Sequence, residues 1–461
     1  MNDSGVKIEI HLIQNVAPSN LNRDDTGQPK SATFGGFRRA RFSSQCSKRA
    51  ARGWWREHGT VSVGKRTKKL QQIIGDKLAQ VEEFTKKVPA EEDRRAGIRV
   101  FTDAYYAASD KKKPENTSVL IFIGPDEVDV CAQAVKEIWD DQTKETTKKG
   151  KQSAETVKGI ASIMKELRKF DKNAGTEATS ADREDVAAQP ESEQADDEES
   201  AEEPGAKKKP KRPKLKPLKE IEERIKAAQV SADIALFGRM LAEQPGRNTD
   251  GACQVAHPIS THKVDMEMDF YTAVDDLKPP EETGAEMMGV IGFNSACYYR
   301  YALVDRDQLA RNLSRKTERK DGKWVQKLED NDYQESDTVI KAFLEAMVYA
   351  IPTGKQNSFA AQNLPSFGLF VTRKGGVPIS LANAFAKPVR PTKDRDDLVG
   401  LSVDRLTEHW DALKKVYGDQ GVQEIACFHI EQEGRLNGLS GSAKETVAEA
   451  IKAVMEAAKK Q

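Results

Sequence analysis

Residues 34–50, FGGFRRARFSSQCSKRA, constrain the fold most, because a glycine pair, a strand and a helix start follow one another without a spacer. Gly35 and Gly36 let a main chain approach a ligand closely. Phe37, Ala40 and Phe42 interleave with Arg39 and Arg41, the pattern of a short half-buried strand. Ser43 or Ser44 can cap the helix that follows. On that helix Lys48, Arg52 and Arg56 recur every four residues and share one face, with Arg49 beside it, while Ala50 and Trp54 share another. One face can track phosphates while the other packs.

Between Thr26 and Arg56 there is no acidic residue, yet Lys30, Arg38, Arg39, Arg41, Lys48, Arg49, Arg52 and Arg56 all fall inside. The whole chain balances 73 Lys and Arg against 73 Asp and Glu, so the excess is local. Local cations and the N–H groups of a helix start both favour a polyphosphate backbone. The segment therefore reads as a nucleic-acid cradle. A solvated basic face is the blander alternative.

At 461 residues the chain can bury one large core with insertions or two ordinary domains. A hydrophobic content of 38% and a mean hydropathy of −0.67 indicate a soluble protein, with no run long enough to span a membrane. The opening MNDSGVKIEI has no signal pattern, so a cytoplasmic location is expected. Cys46, Cys131, Cys253, Cys297 and Cys427 are scattered, as reduced thiols would be.

Val6, Ile8, Ile10 and Leu12 alternate with Lys7, Glu9 and His11, which predicts an opening strand with one buried face. Helices are predicted over 70–81, 128–139, 338–351, 403–417 and 443–458, and strands at 118–123, 369–372 and 424–430. The fold class is α+β, with strands widely separated in sequence. Between Asp182 and Glu203 acids dominate, and AKKKPKRPKLKP after them carries seven bases and no acid. With almost nothing apolar to bury, residues 172–216 are expected to be a disordered charged linker.

In Gly251–Leu277, Val264, Met266, Met268 and Phe270 alternate with polar neighbours, which predicts a strand or hairpin arm tipped by Phe270 and Tyr271. An exposed aromatic pair can stack on bases or wedge between them, at roughly 1–3 kcal/mol per base. An ordinary core strand would show the same alternation. Cys253, His257 and His262 match no common zinc spacing, so no metal or other cofactor is expected.

The blocks HLIQNVAPSNLNRDDTGQPKSATFGGFRRARFSSQCSKRA, DIALFGRM, AHPISTHKVDMEMDFYTAVDDL, CYYRYALV, PTGKQNSFAAQN and PISLANAFAKPV resemble, in order, the CasC backbone-subunit family of the type I-E CRISPR surveillance complex, Cascade. The resemblance covers most of the chain outside about residues 60–230. It implies a modified RRM-like (ferredoxin-like) palm with a helical fingers insertion and a thumb β-hairpin. On that basis residues 1–59 begin the palm, 60–250 form the fingers with the linker 172–216, 251–292 the thumb, and 293–461 complete the palm.

The same resemblance implies a non-enzymatic subunit of the RAMP superfamily. It oligomerises along a CRISPR RNA, kinks it, and presents base segments for pairing with target DNA in antiviral defence. Its partners would be the guide, target DNA through the guide, further copies of itself, other Cascade subunits and a nuclease-helicase recruited to the complex. Lys30, Ser43, Gln45, Lys48, Arg49 and Arg52 fall where the family contacts the guide backbone. Phe270 and Tyr271 stand where it carries an aromatic wedge, Trp-Phe in the family. Two other readings exist. Asp24 and Asp25 are positioned like the carboxylate with which related type III backbone subunits cut RNA using a metal ion. A stand-alone single-strand RNA-binding protein would also carry such a cradle.

Overall fold

Residues Val6–Ser19 form strand β1, and both of its faces are buried. The computed structural model describes residues 5–148, 223–225, 227–241, 247–273, 287–315, 317–320, 323–326, 328–430 and 436–460. The charged linker predicted at 172–216 lies outside them. The chain divides into two compact units. One comprises Met1–Gly64, Gln229–Met240 and Asn248–Gln461, the other Lys65–Ala228 and Leu241–Arg247.

In chain order the strands are β1, β2 (Ser31–Phe34), β3 (Phe37–Ala40), β4 (Lys65–Thr67), β5 (Ile121–Ile123), β6 (Cys253–Val255) and β7 (Ile259–Ser260). They continue with β8 (Glu267–Ala273), β9 (Met287–Asp305), β10 (Thr317–Lys320), β11 (Lys323–Gln326), β12 (Phe367–Lys374) and β13 (Val422–His429). The main sheet of the first unit runs β13-β12-β1-β9-β6, with β7 and β8 also paired to β9. Its pairings are antiparallel, so the unit is mixed α+β around a mostly antiparallel sheet, as the α+β reading expects.

The single buried face predicted for β1 is corrected to two. Strands β12 and β9 flank it, and Lys7, Glu9 and His11 are as buried as Ile8, Ile10 and Leu12. Partners directly opposite in a sheet share a face. Ile8 therefore lies on the side of Thr372, whose Oγ1 donates to Val454 of the helix Val447–Lys459. Glu9 lies on the side of Val371, in the core with Leu369, Phe385, Val403, Leu406 and Trp410. A buried carboxylate persists only when paired. Glu9 accepts from Arg373 Nε at 3.0 Å and from Ile379 N at 2.8 Å. His11 Nδ1 meets the Tyr299 hydroxyl at 2.9 Å, and that hydroxyl accepts from Leu381 N.

The second unit holds β4 and β5, which pair with each other, and helices α2 (Leu70–Ala79), α3 (Glu82–Lys87), α4 (Glu91–Tyr105) and α5 (Pro125–Lys148). Helix α1 (Ser44–His58) precedes them in the chain and belongs to the first unit. Leu70, Ile74 and Leu78 project from α2 at helical spacing into a core with Phe84, Ile98, Phe101, Val135 and Trp139. Arg247 is buried here, donating to the Tyr106 hydroxyl at 2.9 Å and to Glu127 at 3.3 Å. The helix predicted at 338–351 begins earlier, at Asp330, because Asp332 Oδ2 accepts the Glu329 N–H at 2.8 Å and fixes its first turn.

Candidate nucleic-acid interface

Strands β2 and β3 form a hairpin that turns at Gly35 and Gly36, where φ is +59° and +81°. Two consecutive positive φ angles suit the twist of a two-residue hairpin loop and favour glycine. A Cβ on Gly35 would fall 1.8 Å from Ala386 O. The close approach that the glycine permits is therefore to the protein's own main chain.

The hairpin sorts its arginines. Arg38 is exposed, but Arg39 is fully buried, donating from Nη1 to Ser260 O at 3.0 Å and from Nη2 to Phe385 O at 2.7 Å. The interleaving that predicts Arg39 on the open side is thus corrected: its guanidinium closes gaps between carbonyls and is not available to phosphate. Arg41 is half-buried, with Nε on Ser31 O and Nη1 3.0 Å from His257 Nδ1. Arg390, exposed, lies over the Phe37 ring, and exposed Lys387 follows the residue against Gly35. Linear reading of the basic segment misses both, because they come from a strand of chain about 350 residues away.

Helix α1 begins where the sequence predicts. Ser43 is its N-cap, with Oγ accepting from Cys46 N at 3.2 Å, while Ser43 N donates to Asn22 Oδ1. Asn22 O also receives the Lys30 N–H, so one residue sets both the helix start and Lys30. Gln45 and Arg49 are exposed one turn apart, and Lys48 is half-buried with Nζ 5.3 Å from the Phe237 ring. Burial pushes the Cys46 thiol up to about 11, against the pull of Lys30, Arg49 and Arg300. Lys30 and Arg49 therefore stand around one thiol, although 19 positions separate them. Arg52 does not join them: it is buried, with Nε on Asp233 Oδ2 at 2.8 Å and the guanidinium over Phe237.

Phe270 and Tyr271 lie midway along β8, not at a tip. The β8–β9 pair sets Phe270 opposite Val290 and Tyr271 opposite Gly289. Successive strand residues point to opposite faces. One face carries Met268, Phe270, Met288 and Val290, all more than half exposed. On the other, the Tyr271 ring lies against Gly289, where a Cβ would come within 2.4 Å of it.

Asp24 Oδ1 accepts from Thr26 N, Thr26 Oγ1 and Gln28 N, closing a tight loop. The hydrogen bond from Thr26 leads the bonds that hold this carboxyl below its ordinary value. Cys253, His257 and His262 do not converge: Cys253 is buried, His257 meets Arg41, and His262 Nε2 accepts from Cys297 N. Among the described residues no group of three or more His, Cys, Asp or Glu is placed to hold a metal ion. Among them also, no helix is long and apolar enough to cross a membrane.

A chain solved in a "CRISPR RNA-guided surveillance complex, pre-nicking" is 26% identical to this one, with a TM-score of 0.66 over 98% of this chain and 100% of that chain. A second, from a "CRISPR RNA-guided surveillance complex", is 22% identical with a TM-score of 0.61, covering 98% and 99%, and shares the fold. No curated protein sequence matches. The profile of the family described as CT1975-like protein matches residues 8–456. The chain belongs to the CT1975-like protein family.

Proposed function

We propose that the chain is a CRISPR RNA-binding backbone subunit of a type I-E Cascade complex, of the CasC kind. The observation that carries the reading is likeness over nearly the whole chain, at 26% identity, to a chain of a CRISPR RNA-guided surveillance complex. Site geometry supports it. Lys30, Arg38, Gln45, Lys48 and Arg49 keep at least part of their side chains open to solvent, whereas Arg39 and Arg52 brace the fold beneath them. In this reading the antiparallel sheet is an RRM-like palm, residues 60–250 are fingers, 251–292 a thumb, and 293–461 complete the palm.

Copies assemble side by side on one guide. Each thumb reaches over the RNA held by its neighbour, kinks it, and leaves the intervening bases free to pair with target DNA. Backbone contacts position without specifying, so guide sequence is read by base pairing and not by these residues. The subunit works in the cytoplasm with the other Cascade subunits and cuts nothing itself. Cleavage is left to a nuclease-helicase that the complex recruits.

Binding isotherms at several salt concentrations test the cradle. In a folded Lys30→Ala, Lys48→Ala, Arg49→Ala variant, guide binding weakens for every sequence. Its salt dependence falls by roughly one ion per lost phosphate contact. An unchanged slope removes the cradle. Cutting of bound RNA or DNA with magnesium or manganese, lost in Asp24→Ala, Asp25→Ala, favours the type III-like metal nuclease instead.

A further inference from the structure

Asn20 follows the last residue of β1 and is fully buried. Its amide donates twice: Nδ2 lies 3.1 Å from Gly27 O and 2.9 Å from Gly292 O. Gly27 belongs to the loop that Asp24 closes and that leads to Lys30. Gly292 lies in β9 opposite Met268, at the root of the exposed hairpin. One side chain thus joins the Gly27 loop to a strand residue 272 positions from Asn20 in sequence. Gln28 packs at the same point, since a Cβ on Gly292 would fall 1.7 Å from Gln28 Oε1 and 3.1 Å from Met266 Sδ.

We infer that Asn20 is a positioning residue that couples the Lys30 loop to the β8–β9 hairpin, so that an RNA held by one meets the other in a fixed geometry. An asparagine that merely stabilises a turn satisfies the backbone of that turn. Asn20 divides its amide protons between the turn and the hairpin root. A carboxylate of the same size has no proton to give and would set oxygen against both carbonyls. The functional half of the inference rests on the guide-binding reading. The mechanical half is a property of the free chain.

Hydrogen–deuterium exchange of the full chain without RNA tests the mechanical half. In Asn20→Asp, exchange is expected to quicken about tenfold, the worth of one or two buried hydrogen bonds, in both 24–30 and 267–273. Amides of β12 stay protected. Quickening in only one of the two segments overturns the coupling.

Gly292→Ala guards against misfolding of the first variant. It displaces the Gln28 amide and should loosen the same two segments, and Gln28→Ala in the same chain should restore them. No restoration also counts against the proposal. Guide affinity of the neutral variant Asn20→Leu should drop about tenfold with an unchanged salt slope, because it removes no phosphate contact and adds no charge. A reduced slope would make Asn20 a direct contact. If the unaltered chain binds no guide, the functional reading fails while the exchange comparison still decides the coupling.

Discussion

Arg52 Nε lies 2.8 Å from Asp233 Oδ2, and the pair is nearly sealed from water, with side chains 10% and 0% exposed. The other oxygen of Asp233 accepts from Gly64 N at 2.9 Å and from Ser231 Oγ at 2.7 Å. Arg52 sits one helical turn beyond Lys48 in the basic stripe, yet it bolts α1 to the helix Ala232–Phe237. The stripe therefore divides into a buried structural cation, Arg52, and cations that stay at least partly open to solvent, Lys48 and Arg56.

Removing one partner of such a buried pair strands the other charge, which costs about 3–5 kcal/mol. Arg52→Ala should accordingly lower the urea midpoint of the RNA-free chain steeply. Arg49→Ala, at an exposed position, should stay within about 0.5 kcal/mol of the original. Equal, small effects in the two melts would return Arg52 to the surface.

The contrast shows what the sequence makes legible. The Ser43 cap and the α2 stripe depend on neighbours within a few positions, and each is found where the local pattern puts it. Arg39 and Arg52 find partners 221 and 181 positions away, so nothing beside them marks them as interior. In β1, Lys7, Glu9 and His11 look like a solvent face because the groups that admit Glu9 and His11 to the interior, Arg373 and Tyr299, come from distant strands. The hairpin arm at 267–273 is visible as alternation, but every one of its residues is exposed, which alternation does not encode.

Glu9 predicts an acid limb in the stability curve. Burial pushes its carboxyl up, but His11 and Arg373 more than offset this and hold it below the ordinary 4.5. A carboxyl depressed in the fold contributes stability that is present above its unfolded value and is lost as pH falls through its folded value. Urea midpoints should hold above about pH 5 and decline below it as Glu9 takes up a proton. Glu9→Gln should be less stable at neutral pH, because Arg373 loses its buried counter-charge, and should show a shallower acid decline. An acid limb identical to that of the unaltered chain would exclude Glu9 as its source.

The thiols should be silent in the native chain. Burial pushes Cys46, Cys131 and Cys427 up to about 11 and Cys253 up to about 12, while Cys297 is fully buried. Reaction with an alkylating reagent requires the thiolate, which is scarce at neutral pH for such groups. Intact-mass measurement after iodoacetamide should show no adduct on the folded chain and five after unfolding in urea. Rapid native labelling at Cys46 would mean that the loop carrying Lys30 does not cover it.

The last prediction separates the two rings of β8, which the strand geometry keeps from acting as one wedge. Phe270 shares an exposed apolar face with Met268, Met288 and Val290, whereas Tyr271 covers Gly289 on the other side. Phe270→Ala leaves no cavity, so the isolated subunit should melt as before. On guide RNA it should assemble less well, by about 1–3 kcal/mol if one stacked base is lost. Tyr271→Ala removes a cross-strand contact and should cost the free hairpin about 0.2–1 kcal/mol. Thermal melts of the free subunit, set beside size exclusion of the guide-bound assembly, distinguish the two. If Tyr271→Ala alone abolishes assembly and Phe270→Ala has no effect, the face toward RNA is the one that carries Tyr271, and Met268, Phe270, Met288 and Val290 must serve another contact.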